Sequence, residues 1–197
     1  VTEPQGKVNE VVRSRALRRD AADNRDRVLA VAAIAVRREG AGVPMATIAA
    51  DAGVGVGTVY RHFPSRDALL AALTRRSFHL VLGAARRAEN LDGSGIDAVR
   101  SFLDQTIEHG PDLVLPMHGG PPVTDQATEA LRDDVHRTID SLLDRGRRDG
   151  TIRADVTTAD IVIFGALLAQ PLPHVENWKL AARREAAIYL AGLAATA

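Results

Sequence analysis

Apolar positions along this chain recur at three- and four-residue steps rather than in alternation, which predicts an all-α protein. Between residues 24 and 39, Val28, Val31, Ala32, Ala35 and Val36 fall on one helical face, and Gly40 and Gly42 close the segment. Two short segments follow, Met45–Ala52 and Thr58–Phe63, separated by Gly53-Val54-Gly55-Val56-Gly57. Pro64 and Ser65 then open a long helix over Arg66–Ala88. Beyond Gly93-Ser94-Gly95 the pattern predicts a helix over Ile96–His109 and a short one from Pro111 toward Met117. After the stiff break Gly119-Gly120-Pro121-Pro122, Ala127, Leu131, Val135, Ile139, Leu142 and Leu143 keep an amphipathic register to Gly150. Thr157–Gln170 and Glu176–Ala194 are the last two predicted helices.

Charge divides this helical chain into unlike halves. Residues 1–80 hold 13 Lys and Arg against 8 Asp and Glu, and the remainder 12 against 17, so a net charge of zero conceals a basic front and an acidic rear. The absence of cysteine excludes a disulfide framework, thiolate metal sites and cysteine nucleophiles. Lys7, Arg13, Arg15, Arg18 and Arg19 stand in the first twenty residues with no apolar core beside them, and the longest apolar run, Ile161–Ala169, is too short for a membrane helix. The expectation is a soluble cytoplasmic protein with no membrane partner.

Candidate chemistry is concentrated in residues 44–70. Ile48, Ala49 and Ala52 allow one short helix to cross the next steeply, as a helix-turn-helix requires, and Gly53 lets the chain leave the first through positive φ. Val54 is suited to plug the gap between the two helices, and Val59 and Phe63 face inward. Thr58, Tyr60, Arg61 and His62 are left outward, a set suited to a phosphate backbone and base edges. The glycines also admit a nucleotide-phosphate reading, but the spacing is G-x-G-x-G, with no preceding strand and no following G-K-S/T. Arg61 fits guanine readout, phosphate contact or a solvated surface. The arm Arg13–Arg19 fits either a minor groove or a solvated tail.

The run Ile48-Ala49, Ala52-Gly53-Val54, Gly57-Thr58-Val59-Tyr60-Arg61-His62-Phe63, then Arg66 and Leu69-Leu70, closely resembles the N-terminal signature of the TetR family of repressors over about residues 24–72. The resemblance implies that the helix near Thr58 is the recognition helix and that Tyr60, His62 and Arg66 clamp phosphates. The expected DNA-facing set is thus Val56, Gly57, Thr58, Tyr60, Arg61, His62 and Arg66. Two positions depart from the family pattern: Pro44 replaces the usual Ser/Thr cap, and Arg66 replaces the usual Lys. Proline is tolerated at a helix start and arginine still binds phosphate, but a capping threonine that could touch DNA is missing. The expected organisation is a flexible basic arm over 1–22, a DNA-binding domain over 23–72, and a helical ligand-binding and dimerisation domain over 73–197.

The penultimate helix is apolar on nearly every face through Ile161–Leu168, which implies a partner surface. With the stripe Ala182, Ala186, Tyr189 and Leu193 of the last helix, Phe164 and Leu168 form the expected two-fold interface of a homodimer, an arrangement the family resemblance also implies. A ligand cavity implied by the resemblance draws on Phe78, Leu82, Phe102 and Met117, with Phe164, Leu168 and Trp178. Gln105 and His118 are its candidate polar groups. The histidines lack metal-ligand spacing, and Asp104 with Glu108, or Asp133 with Asp134, read as solvated helix faces rather than catalytic pairs. No cofactor is expected. Three function classes compete: a DNA-binding repressor released by a small-molecule inducer, an all-α enzyme with an internal cavity, and a ligand-free helical adaptor. Residues 53–66 favour the first, because neither rival needs that run of DNA-facing groups. The expected switch is a lever: a largely apolar ligand wedged between Phe78, Phe102 and Phe164 tilts the helix that begins at Arg66.

Overall fold

The computed structural model describes residues 23–118, 120–123, 125–172 and 174–195; the basic arm 1–22 lies outside the described residues. Among the described residues there are helices and turns and no strand, and no helix is long and apolar enough to cross a membrane. The chain forms two compact units, one ending at Leu69 and the other beginning at Leu70.

In the first unit, α1 occupies residues 23–39 and buries Val28, Ala32, Ala35 and Val36 as its periodicity requires. Gly40, at φ +85°, ends it. Helix α2 (Met45–Asp51) starts from Pro44, whose fixed φ suits an N-cap although it offers no side-chain acceptor. Its far end is a Schellman turn: Gly53 N–H bonds Ala50 O and Val54 N–H bonds Ala49 O, with Gly53 at φ +63°. That left-handed residue redirects the chain into α3 (Val56–His62), which begins two residues earlier than the pattern predicts because Gly55 is its extended N-cap. Helix α4 (Arg66–Glu89) is capped by Ser65, whose Oγ accepts the Ala68 N–H.

In the second unit α5 (Gly95–His109) is the central helix, packed by α6 (Gln126–Arg148), α7 (Thr158–Leu168) and α8 (Trp178–Leu193). Its N-terminus crosses the end of α6 without room for side chains: a Cβ on Gly95 would run into the Gly146 backbone. Two orphan N–H groups of α5 are satisfied there, Gly95 by Asp149 Oδ2 at 2.7 Å and Ile96 by Thr151 Oγ1 at 3.2 Å. Hydrogen bonds from Thr151 and Gly95 hold the Asp149 carboxyl below the usual range. Thr157 and Asp160 close a capping box on α7.

One predicted helix is absent. Between α5 and α6 the chain makes two short 3-10 turns, Gly110–Asp112 and Pro116–His118, around a non-helical stretch 113–115. Proline has no N–H to give and disfavours helical backbone in the residue before it, so Pro111 and Pro116 break the expected helix from Pro111 toward Met117. The last helix also starts late, because Asn177 is left-handed at φ 52°.

Candidate nucleic-acid interface and ligand cavity

Seven residues make α3, and its period decides what each can do. Val59 (0% exposed) and Phe63 (2%) anchor it, and the Arg25 guanidinium lies over the Phe63 ring at 5.3 Å. On the outer side Val56 is 46% and Tyr60 48% exposed, one turn apart. Gly57 and Arg61 share that exposure, while Thr58 and His62 flank it half-buried. A phenol hydroxyl, a guanidinium and an imidazole can donate to phosphate oxygens there, and the Val56 methyls can meet a thymine methyl. Arg66 is exposed and donates from Nη1 to Gly42 O at 2.8 Å. That bond ties the start of α4 to the turn after α1 and leaves most of the guanidinium's five donors for other acceptors.

The second unit encloses a cavity of about 380 Å³. Phe78 and Val81 of α4, Phe102 of α5 and Val135 of α6 supply hydrocarbon walls, with Leu113, Leu115 and Met117 from the non-helical segment and Val162 from α7. Gly165 keeps α7 close to α5, since a Cβ there would already touch Leu103 and Phe102. Its polar lining is Thr106, Arg132 and His136. Of the expected lining residues, Phe78, Phe102 and Met117 are found there. The others lie elsewhere. Leu82 and Leu168 are buried in the helical core, and Gln105 accepts from Arg87 Nε and donates to Ser101 Oγ. His118 Nε2 lies 3.0 Å from Ala166 O, and Phe164 stacks on Tyr189 with ring centroids 3.7 Å apart. Trp178 Nε1 donates to Leu168 O at 2.9 Å and lines a separate, more open recess with Ile107 and Pro171. Periodicity had marked these side chains as apolar or as polar outliers; which side of a helix faced a void was a matter of packing. Arg132 and His136 were missed because they read as an ordinary polar face of α6.

Three consecutive residues bind α4 to the segment that closes the cavity. Arg75 reaches Asp125 at 2.7 Å and Thr128 Oγ1 at 3.2 Å, and Arg76 reaches Asp112 at 3.3 Å. Ser77, fully buried, accepts the Val114 N–H at 2.8 Å while donating to Leu73 O.

The expected dimer stripe needs correction. Ala182, Ala186, Leu193 and Leu168 are buried in the chain's own core, where the small residues let α8 approach α5. The exposed apolar stripe of α8 stands two residues on, roughly 200° round the helix, and holds Leu180 (71% exposed) and Ile188 (60%). Ile163 and Leu167 are its exposed counterparts on α7. The solvated reading of the acidic pairs is also too simple, for Glu108 bonds Lys179 and Arg183, and Asp104 faces Arg183 at 3.8 Å. Lys179 and Arg183 hold the Glu108 carboxyl below its ordinary range.

Two family models cover these two regions. Residues 28–73 match the bacterial regulatory proteins of the tetR family, and residues 97–195 match the C-terminal domain of SbtR-like transcriptional regulators. The chain belongs to the TetR family. Its all-helical architecture is therefore the TetR fold, with the helix-turn-helix in α2 and α3. The HTH-type transcriptional repressor LfrR of Mycolicibacterium smegmatis is 33% identical over 98 residues, 50% of this chain and 52% of LfrR. The repressor KstR of the same organism is 30% identical over 132 residues, 65% of each. The chain thus spans between half and just under two thirds of these curated relatives. The crystal structure of a TetR transcription regulatory protein from Mycobacterium vanbaalenii, 32% identical, aligns with a TM-score of 0.61 over 90% of this chain and 99% of that one.

Proposed function

We propose that this TetR-family protein is a transcriptional repressor that binds a palindromic operator as a dimer and leaves it when a largely apolar small molecule fills the α4–α7 cavity. The observation that carries the reading is α3, a short helix anchored by Val59 and Phe63 that turns Val56, Tyr60 and Arg61 outward with Arg66 at the next helix start. The similarity to the repressors LfrR and KstR supports it. Two recognition helices must reach major-groove sites about 34–36 Å apart, so a second copy is needed. We assign the two-fold interface to Ile163, Leu167, Leu180 and Ile188, the apolar side chains that the folded chain leaves exposed on α7 and α8.

Release follows from the polar ties of Arg75, Arg76 and Ser77. A ligand that displaces Leu113 or Leu115 pulls on α4 through those bonds, and α4 is one continuous helix back to Arg66. Tenfold weaker operator binding requires a ligand preference of only about 1.4 kcal/mol for the released state, and linkage demands that operator weaken the ligand equally.

The test is a footprint on the DNA flanking the protein's own gene, followed by competition between that operator and scrambled DNA. Tyr60→Ala, His62→Ala and Arg66→Ala each weaken binding to all sequences by a similar factor, and loss of a charged contact makes the salt slope shallower by about one unit. Thr58→Ala lowers discrimination selectively. Unchanged binding after Tyr60→Ala removes the clamp assignment, and the absence of any footprint removes the reading.

A further inference from the structure

The cavity's charged groups are of one sign and in one place. No Asp or Glu lines it, and Thr106 donates its hydroxyl proton to Phe102 O at 2.9 Å, leaving only acceptor capacity. Arg132 and His136 stand one turn apart on α6 and are both exposed, so they mark the rim while Phe78, Phe102 and Leu113 form the walls. Arg132 has Asp133 Oδ1 at 3.4 Å, a pair between chain neighbours whose side chains are 44% and 55% exposed. Exposed pairs of this kind contribute little and give way to a better-placed anion.

We propose that the ligand is an anionic amphiphile, an alkyl or aryl carboxylate whose headgroup is held by Arg132 and His136 while its hydrocarbon body fills the cavity. The inference rests on the reading of this cavity as the effector site. A guanidinium takes a carboxylate through two parallel hydrogen bonds, and an imidazole donates an N–H in either protonation state. At the rim the anion keeps part of its water and escapes the cost of full burial. A cationic headgroup would face Arg132 with no acid in the lining to offset it. The volume of about 380 Å³ lies near the small end of ligand pockets, which run from roughly 300 to 1,000 Å³. A chain of modest length therefore fills it.

Titration calorimetry on the full chain with decanoate, decanol and decylamine separates the possibilities, run beside fluorescence anisotropy on labelled operator. Decanoate is expected to bind at least about tenfold more tightly than decanol, equivalent to about 1.4 kcal/mol, with decylamine the weakest. Arg132→Ala should bring decanoate down to the level of decanol and leave decanol unchanged, which also shows that the variant's cavity is intact. Equal affinity for acid and alcohol, preference for the amine, equal loss of both ligands in the variant, or no binding of any probe overturns the proposal. Release of operator by all three probes alike overturns it while supporting the effector reading. Arg132-dependent binding of decanoate that leaves the operator complex intact supports the anion site and overturns the effector reading.

Discussion

Helix α3 of the first unit buries one of its seven residues, Val59, whereas α5 of the second unit is fifteen residues long and buries seven. The first is read by what it leaves outside, the second by the space its neighbours fail to fill. A surface function survives in a short helix because two anchors, Val59 and Phe63, fix its rotation and leave every third or fourth side chain to the partner. A cavity has no such economy. It needs four helices and the stretch 113–115 to be placed together, and its walls use the same residue types as the surrounding core.

The sharpest break of this comparison is a charge on α8. Ala186→Glu puts a carboxylate at a position 3% exposed in the core of the second unit. An uncompensated buried charge costs about 3–5 kcal/mol, and the added volume about 1–3 kcal/mol more. Circular dichroism should show that unit largely unfolded. Ile188→Glu, two residues on and 60% exposed, should leave the melting curve of the monomer fold intact and shift sedimentation from dimer to monomer. An Ile188→Glu variant that remains a full dimer removes the assigned interface, and a stably folded Ala186→Glu variant removes the placement of that stripe in the core.

Next in size is the anchor of the first unit. Phe63→Ala removes a ring 2% exposed and should cost about 3–5 kcal/mol, melting the helix-turn-helix and abolishing operator binding together. Tyr60→Ala, three residues earlier and half-exposed, should change stability by no more than about 0.5 kcal/mol while still weakening DNA. Equal loss of stability in the two variants would erase the distinction between anchor and contact.

The smallest effect lies between α5 and α8. Because Lys179 and Arg183 lower the Glu108 pKa, its contribution to stability is fully present above the ordinary value of 4.5 and is lost as pH falls through the lower folded value. The melting temperature of the wild type should exceed that of Glu108→Gln at neutral pH, and the gap should shrink below 4.5. A gap that is constant with pH would mean that Glu108 acts by packing and not by charge.

By itself the sequence determined the helices, the helix-turn-helix and its outward residues. The i, i+3/i+4 repeat, the left-handed Gly53 and the alternation of Val59 and Phe63 with Tyr60 and Arg61 are local facts, set within a turn or two of chain. The failed helix over Pro111–Met117 was legible in principle too, since two prolines six positions or fewer apart deny it both donors and helical backbone. What only the tertiary structure decided was which apolar face of α8 is spent inside the chain, that Phe164 stacks on Tyr189 rather than lining the cavity, and that Arg132 and His136 stand at its rim. Helical periodicity fixes which residues share a face, but the direction a face points depends on the rotation of each helix against its neighbours. That rotation is set by close contacts far apart in sequence, such as Gly95 on Gly146 and Gly165 beside Phe102.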